Sequence, residues 1–567
     1  MKKGKLIFIV ALVGLLMASC GNVLTAPDNK GSIERVQSSP DKYLAHLTGT
    51  PWEMGYQHGW LMAEQVVTSC SDQFIGDIFL GLAGANTGVL KDIVSNETLM
   101  SAITGTLYAA GMANYKTWVP AEYRQEIEGV FRGAYDRCNK EGWDKKQLSV
   151  DRLAMLNCWI DFMIAWIYGP VVIKEVVTGG DMFEGRFAGE NLFPSQQDSI
   201  PPMPGDMTEQ KLSVEEIEEI RATLREYFGQ VHMCDGIAIN KENSATGEPI
   251  LTRSFMIPAV FGAQSVMMEY TPRNGNKFLQ VSPPGMIGTG AGMNSQGLSI
   301  GVDMVLTGDL QQLSIGMGCL LKNREALQYS STIDEAVRNT FDEKNKGAFG
   351  AFNNDNTNGT SWIHPIADRN GAAAIEISAH NMRVRRIDDD FTTTGYGEGR
   401  GMLFYDENGQ RRPGLDWNTM QDLINLDVIS QWENDPNLLV FTNHFVHPDM
   451  RSADKHRYPV DCTARYNFLL MAADELLTNG DRKISVEEAK HLVAYLENNA
   501  WNDSYRYVDK PLRWSNSTLG NPSDPNKRST MFGGIRAVFD VGSRTIHAAF
   551  GPSNVSWDQA WQSYTFN

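Results

Sequence analysis

His232-Met233-Cys234-Asp235-Gly236-Ile237-Ala238-Ile239-Asn240 is the stretch on which the reading of this chain turns. Gly236 to Asn240 has the composition of a strand, and a cysteine stands at its head. A cysteine opening a strand is by itself more often a buried structural thiol than a catalytic one. The residues that follow shift the balance. Asn243 to Gly247 is a polar turn, and Pro249-Ile250-Leu251-Thr252-Arg253 is a second strand ending in a cation. The two strands read as a hairpin able to return Arg253 to the side of Cys234. A guanidinium there favours the thiolate, the nucleophilic form of cysteine. A surface charge at a strand end is the plainer reading of Arg253.

The chain changes character at this point. From about 41 to 231 the apolar spacing is mainly helical, with the best segments at 53–67, 100–113, 122–141, 150–168 and 213–231. Ser213-Val214-Glu215-Glu216 has the form of a capping box. The apolar run 153–168 is short and carries Asn157 and Asp161, so it reads as a core helix and not a membrane span. After 232, strands are expected at 236–240, 249–254, 265–270, 277–281 and 298–305, then helix at 318–341. Strands resume at 362–367, 372–378, 382–386 and 438–441, helices at 463–477 and 485–498, and a closing strand pair at 535–541 and 545–550. Runs of strands and runs of helices, without βαβ alternation, fit an α+β fold. Gly288-Thr289-Gly290-Ala291-Gly292 lacks the Lys-Ser/Thr of a phosphate loop and reads as close backbone packing.

Composition sets wider bounds. The 567 residues are 42% hydrophobic and 21% charged, enough apolar material for a large core, and the net charge of -18 argues against a nucleic-acid partner. Lys2, Lys3 and Lys5 precede an apolar run from Leu6 to Leu16, and Met17-Ala18-Ser19 leads into Cys20. That is an export signal over 1–19, and Cys20 resembles the lipid-accepting cysteine of a bacterial lipoprotein. Residues 20–40 then read as a polar tether, and the expected location is the cell envelope, by lipid anchor only, or else free secretion. The six remaining cysteines lack the spacing of a disulfide framework or a metal site. No metal and no other cofactor is expected.

Further motifs, in order along the chain, extend the reading. Thr48-Gly49-Thr50-Pro51-Trp52-Glu53-Met54-Gly55-Tyr56-Gln57-His58-Gly59 lies upstream of Cys234. Downstream come Gly292-Met293-Asn294-Ser295-Gln296-Gly297-Leu298, His364 to Gly371 followed by Ala372 to Glu376, Thr442-Asn443-His444-Phe445, and Thr463-Ala464-Arg465. Together with Cys234 and Arg253 they resemble the cysteine N-terminal-nucleophile (Ntn) hydrolases. The nearest resemblance is to the isopenicillin-N acyltransferase-like autoproteolytic family, with choloylglycine hydrolases, acid ceramidase and phospholipase B-like proteins more distant. It spans nearly all of the mature chain. One departure stands out: the family often carries an Asp after the hairpin that helps hold the α-amine, and here the residues are Arg253-Ser254-Phe255-Met256. Asp235 and Asp303 are candidates to replace it, unranked, or the amine is held differently.

The resemblance implies a four-layer αββα sandwich over 234–567, with 41–233 a helical propeptide retained as a companion α-chain. It implies self-cleavage of the Met233–Cys234 bond by attack of the Cys234 thiol on the preceding carbonyl. The freed α-amine, with a pKa near ~8, then acts as base to its own thiol. Asn443 is the first candidate for an oxyanion donor and Asn294 the second, with a turn role as the alternative for each. Arg253 and Arg465 tune the thiol or orient substrate, a helix-end ion pair being the other reading of Arg465. His444 as the base of a Cys–His pair is a weaker reading, and His232 lies beyond the cut. The expected reaction is hydrolysis of a linear, non-peptide amide in a small-molecule N-acyl substrate. Acyl transfer to an amine, or a catalytically silent ligand-binding lipoprotein, are the rivals.

Overall fold

Alternation in the hairpin dictates how the sheets stack. In the computed structural model β4 (Gly236–Ile239) and β5 (Ile250–Phe255) pair antiparallel, with Ala238 opposite Leu251 and Ile239 opposite Ile250. Successive side chains on a strand face opposite ways. Ala238, Leu251 and Phe255 therefore enter one apolar cluster, while Ile237, Ile239 and Ile250 enter another. Both faces of this sheet are buried, which requires a layer on each side.

The structure describes residues 23–82, 95–162, 234–305, 316–341, 361–389, 436–450, 466–499, 534–550 and 560–567, apart from isolated positions within them, together with 222, 307, 403–404 and 432–433. The remaining strands are β1 (Val23–Thr25), β2 (Ser32–Val36), β3 (Ser39–Gly49), β6 (Val266–Pro272), β7 (Phe278–Ser282), β8 (Ala291–Asn294), β9 (Ser299–Gly301), β10 (Asp303–Val305), β11 (Ser361–Asp368), β12 (Gly371–Ile377), β13 (Met382–Arg386), β14 (Leu403–Phe404), β15 (Trp432–Glu433), β16 (Leu438–Phe441), β17 (Ile535–Asp540), β18 (Thr545–Ala549) and β19 (Gln562–Thr565). The smaller main sheet has the order β16-β4-β5-β17-β18-β19. The larger runs β1-β2-β3-β6-β7-β8-β9-β11-β12-β13, with β10 also on β11; β14 and β15 form a separate ribbon.

The fold is thus mixed helix and sheet. On one face of the smaller sheet the helix Val486–Asn499 contributes Ala489, Leu492 and Val493 to the cluster holding Ile237, Ile239 and Val440. The opposite face, with Leu439, Ala537 and Phe539, shares a cluster with Met293, Ile300 and Ile366 of the larger sheet. Leu320, Leu321 and Leu327 of the helix Cys319–Tyr329 enter that same cluster, as do the buried residues of the N-terminal helices.

The N-terminal region departs from expectation. The stretch read as a tether, 20–40, carries β1 and β2, and Ala26 and Ile33 are buried. The segment read as helical from 41 begins inside β3, which runs parallel to β6 in the register Leu44↔Met267 to Gly49↔Pro272. Residues from both sides of Cys234 therefore share one sheet. Beyond β3 the helices appear: Pro51–Leu61, Ala63–Ser69, Asp72–Leu82, Glu97–Trp118, Ala121–Glu141 and Val150–Leu156.

The Thr48–Gly59 motif is explained by this packing. Thr50 and Glu53 form a capping box with Pro51 at the first turn, where its missing N–H costs nothing. Gly55 and Gly59 lie against the Glu126 and Val130 carbonyls, where an added Cβ would sit 2.0 Å from either oxygen. Gln57 Nε2 donates to Asp28 and to the Thr48 carbonyl. His58 Nε2 accepts from Gly285 N at 2.8 Å, and the Tyr270 hydroxyl meets its Nδ1 at 3.3 Å. Burial holds the imidazole neutral, its pKa lowered to about 3, with Arg324 adding a smaller push in the same direction.

Candidate active site

The hairpin register sets the site. Asp235 bridges Ser254, so Cys234, Gly236 and Ala238 share a face with Leu251, Arg253 and Phe255. This face looks into the cluster between the two main sheets, and Cys234 and Arg253 are both buried there. Arg253 does not end the strand as its sequence position suggested; β5 continues through Phe255.

Every nitrogen of the Arg253 guanidinium has a direction. Nη1 forms a wholly buried ion pair with Asp303 of β10. Nε donates to the Gly290 carbonyl at 3.3 Å. Nη2 lies 3.8 Å from Cys234 Sγ. The Phe255 ring sits 4.9 Å below the guanidinium carbon. Room for this side chain comes from Gly301 of β9, where an added Cβ would fall 2.1 Å from Arg253 Cδ. Nothing in the sequence pattern marked Gly301, because the constraint comes from a strand in the facing sheet.

Asn443 follows β16, which pairs with β4 from Leu438↔Ile239 to Phe441↔Gly236. The ladder carries Asn443 alongside Cys234. Its Oδ1 accepts from Cys234 N at 2.9 Å, and its Nδ2 donates to the Met304 carbonyl at 2.7 Å. The amide orientation is fixed from both ends: a backbone N–H requires an acceptor and a carbonyl requires a donor. The oxygen of Asn443, not its NH2, therefore faces Cys234. The sequence expectation assigned Asn443 only a donor role, and the structure gives its oxygen a part as the acceptor for the Cys234 nitrogen. Asp303 joins the same group through its ion pair with Arg253.

The other expected residues divide. Asn294 is a turn residue, and the oxyanion expectation is corrected there. Its Oδ1 accepts from Gln296 N and Leu298 N, each at 3.0 Å, around Gly297 in the left-handed region at φ 92°. Its Nδ2 donates to the carbonyls of Leu327 and Ser330. Both of its N–H groups are thus committed to holding β8 against the helix Cys319–Tyr329. His444 pairs through Nδ1 with Thr442 Oγ1 at 2.8 Å and meets Tyr466 edge-on. Gly288, Gly290 and Gly292 pack on Leu320, Phe255 and Leu327, in line with close backbone packing. Cys20, His232, Met233, Met256 and Arg465 lie outside the described residues, as do the segment 163–221 and Cys462. The five described cysteines are buried thiols. Among the described residues no group of acids, histidines and cysteines is arranged to hold a metal ion, and no helix is long and apolar enough to cross a membrane.

No protein-family model matches the sequence. An uncharacterized protein of Archaeoglobus fulgidus is 27% identical over 460 residues, covering 80% of this chain and 58% of that protein, so the chain spans less than two thirds of that relative. Among solved structures, penicillin V acylase from Agrobacterium tumefaciens is similar over 59% of this chain and 92% of its own, at 14% identity and TM-score 0.29. A mutant conjugated bile acid hydrolase from Clostridium perfringens covers 59% and 97%, at 11% identity and TM-score 0.29. A Caenorhabditis elegans N-acylethanolamine-hydrolyzing acid amidase ortholog covers 59% and 100%, at 12% identity and TM-score 0.28.

Proposed function

We propose that this chain is an exported, self-processing Ntn hydrolase of the isopenicillin-N acyltransferase-like type, on a four-layer αββα core, that cleaves linear N-acyl amides through Cys234. The observation that carries the reading is the environment of one residue. The nitrogen and the sulfur of Cys234 each have their own buried polar partner, Asn443 Oδ1 and Arg253 Nη2. A structural cysteine needs only the first, since any buried backbone N–H must find an acceptor; it needs no guanidinium beside its sulfur. A residue whose thiol is the nucleophile and whose amine is the base needs both.

In the precursor the Cys234 nitrogen is an amide. Attack of the thiol on the Met233 carbonyl forms a thioester as the C–N bond breaks, and the nitrogen takes up the proton that the thiol loses. Water then hydrolyses the thioester, leaving the Met233 carboxylate, a free thiol and a free α-amine. The same two groups then act on substrate: the amine takes the thiol proton, the thiolate attacks the amide carbonyl, and the amine returns the proton to the leaving nitrogen, leaving the acyl group as a thioester on Cys234 that water hydrolyses to the carboxylic acid and the free thiol. Arg253 stabilises the thiolate and is itself held by Asp303 and Gly290. Asn443 Oδ1 orients the amine by accepting one of its hydrogens, the part an Asp at position 256 would take in the family. The oxyanion donor is a group other than Asn294.

Contacts across Cys234 support retention of the α-chain. The Arg324–Glu126 pair, the His58–Gly285 bond and the β3–β6 ladder all join residues on opposite sides of the cut. Export through the 1–19 signal, with lipid on Cys20, completes the proposal. Hydrolysis of a panel of N-acyl amides by the processed protein tests the catalytic step. Liberation of amine that is lost on alkylation of the N-terminal cysteine is the expected result. Turnover that survives alkylation would exclude Cys234 as the nucleophile.

A further inference from the structure

Glu376, at the end of the Ala372–Glu376 motif, has no part in the chemistry just described, yet it is buried among groups that frame Asn443. It lies on β12, and Arg385 lies on the neighbouring β13, where Ala374 is opposite Arg385 and Glu376 opposite Arg383. Glu376 and Arg385 are therefore diagonal neighbours on one face. Arg385 Nε donates to Glu376 Oε1 at 3.1 Å, and neither side chain is exposed. The pair reaches out of the larger sheet toward the smaller one. Glu376 Oε1 accepts from Val446 N at 3.1 Å and Oε2 from His447 N at 3.0 Å, while Arg385 Nη2 donates to the Val440 carbonyl at 2.9 Å. Val440 and Val446 stand three residues to either side of Asn443.

Packing alone does not account for this arrangement. Two charges taken out of water cost several kcal/mol each, and apolar side chains of similar volume commonly serve a core as well or better. The backbone supplies a reason. The chain leaves the β4 ladder after Phe441, so among the described residues the N–H groups of buried Val446 and part-buried His447 belong to no strand ladder. A carboxylate accepts both, and a guanidinium anchored to that carboxylate fixes the carbonyl on the other flank.

We propose that the Glu376–Arg385 pair is a positioning clamp for Asn443. It ties both flanks of the turn to the larger sheet, so that Asn443 Oδ1 stays on the Cys234 nitrogen. Its chemical consequence rests on the function proposed above. The test is a double-mutant cycle on the full chain, timed by self-cleavage. Glu376→Gln keeps the size of the side chain and loses the double acceptor. It is expected to slow cleavage roughly tenfold or more, the scale on which a small misplacement acts. Asn443→Ala slows it further, and the double variant is no slower than Asn443→Ala alone, because the clamp acts only through that residue. Arg385→Lys, which keeps the charge and loses the reach to Val440, is expected to behave as Glu376→Gln does and replaces it if that variant does not fold. A double variant slowed by the product of the two factors overturns the clamp. A wild-type chain that stays whole refutes the proposed function instead. In that event, or if Asn443→Ala leaves nothing to time, the same cycle is read in the midpoint of thermal unfolding, where coupling supports the clamp and additivity overturns it.

Discussion

Two arginines, each wholly buried and each paired with a carboxylate, divide the molecule into a scaffold and a site. Arg324 gives Nη1 and Nη2 to Glu126 at 3.0 and 2.8 Å and Nε to Gln328 at 3.1 Å, with Tyr270 and Phe278 packed on its guanidinium. Its Nη1 also reaches the Ile287 carbonyl. Of these partners Glu126 lies on the N-terminal helix Ala121–Glu141, so its pair with Arg324 ties that helix to the body of the fold, while the others hold the guanidinium within the body itself. Arg253 gives one nitrogen to Asp303 and one to a backbone carbonyl, and turns the third to a thiol. Burial and charge do not separate the two arginines; the destination of the last donor does.

The same substitution should therefore have opposite readouts at the two places. The largest effect is expected at the scaffold. Glu126→Ala leaves the Arg324 charge buried without its partner and should lower stability by about 3–5 kcal/mol, read by denaturant unfolding, with the timing of self-cleavage in the folded fraction unchanged. Next comes Arg253→Lys, which keeps a cation beside Asp303 and loses the nitrogen facing Cys234. Cleavage should slow by about a hundredfold, roughly 2.7 kcal/mol in barrier, while Arg324→Lys leaves it unchanged. Equal slowing by both lysine variants would erase the distinction.

The scaffold side also carries a pH signature. His58 has a folded pKa of about 3 against an ordinary value of 6.5. Its neutral form is the native one, so its contribution is fully present above pH 6.5 and is lost as pH falls from there toward 3. That loss should reach about 2 kcal/mol by pH 5, as proton uptake on unfolding. His58→Gln should flatten this part of the stability–pH curve while leaving neutral-pH cleavage alone. The smallest effect is expected at Gly301. Gly301→Ala pushes a methyl into Arg253 Cδ, and should slow cleavage about tenfold through displacement of the guanidinium from Cys234.

What could be read in advance follows the same division. The β4–β5 hairpin was legible because alternation and a polar turn are local, and that turn by itself brings the cation on β5 back to Cys234. β1 to β3 were not. Val23–Thr25 is short, β3 contains Pro40 and Asp41, and its parallel partner β6 lies more than two hundred residues away, so no local pattern announces the pairing. In the site, Cys234 and Arg253 stood out from the hairpin and the motif order. The pairing of Asp303 with Arg253 joins residues of two different sheets, 50 positions apart in the chain, and left no local trace. The orientation of Asn443 was not legible at all: Met304, 139 residues away, decides which end of the amide faces the cysteine. Asn294 illustrates the opposite error, where a motif asparagine satisfies a turn and its two N–H groups are taken by carbonyls of the next helix and the residue after it.

The claim at the centre of this account is that Cys234 becomes an N-terminus. Intact-mass analysis of the purified chain, with sequencing of any new amino end, tests it directly. Two chains whose second begins at Cys234, together with a single uncut chain for Cys234→Ala, are the predicted result. A wild-type chain that remains whole, or is cut elsewhere, would contradict it.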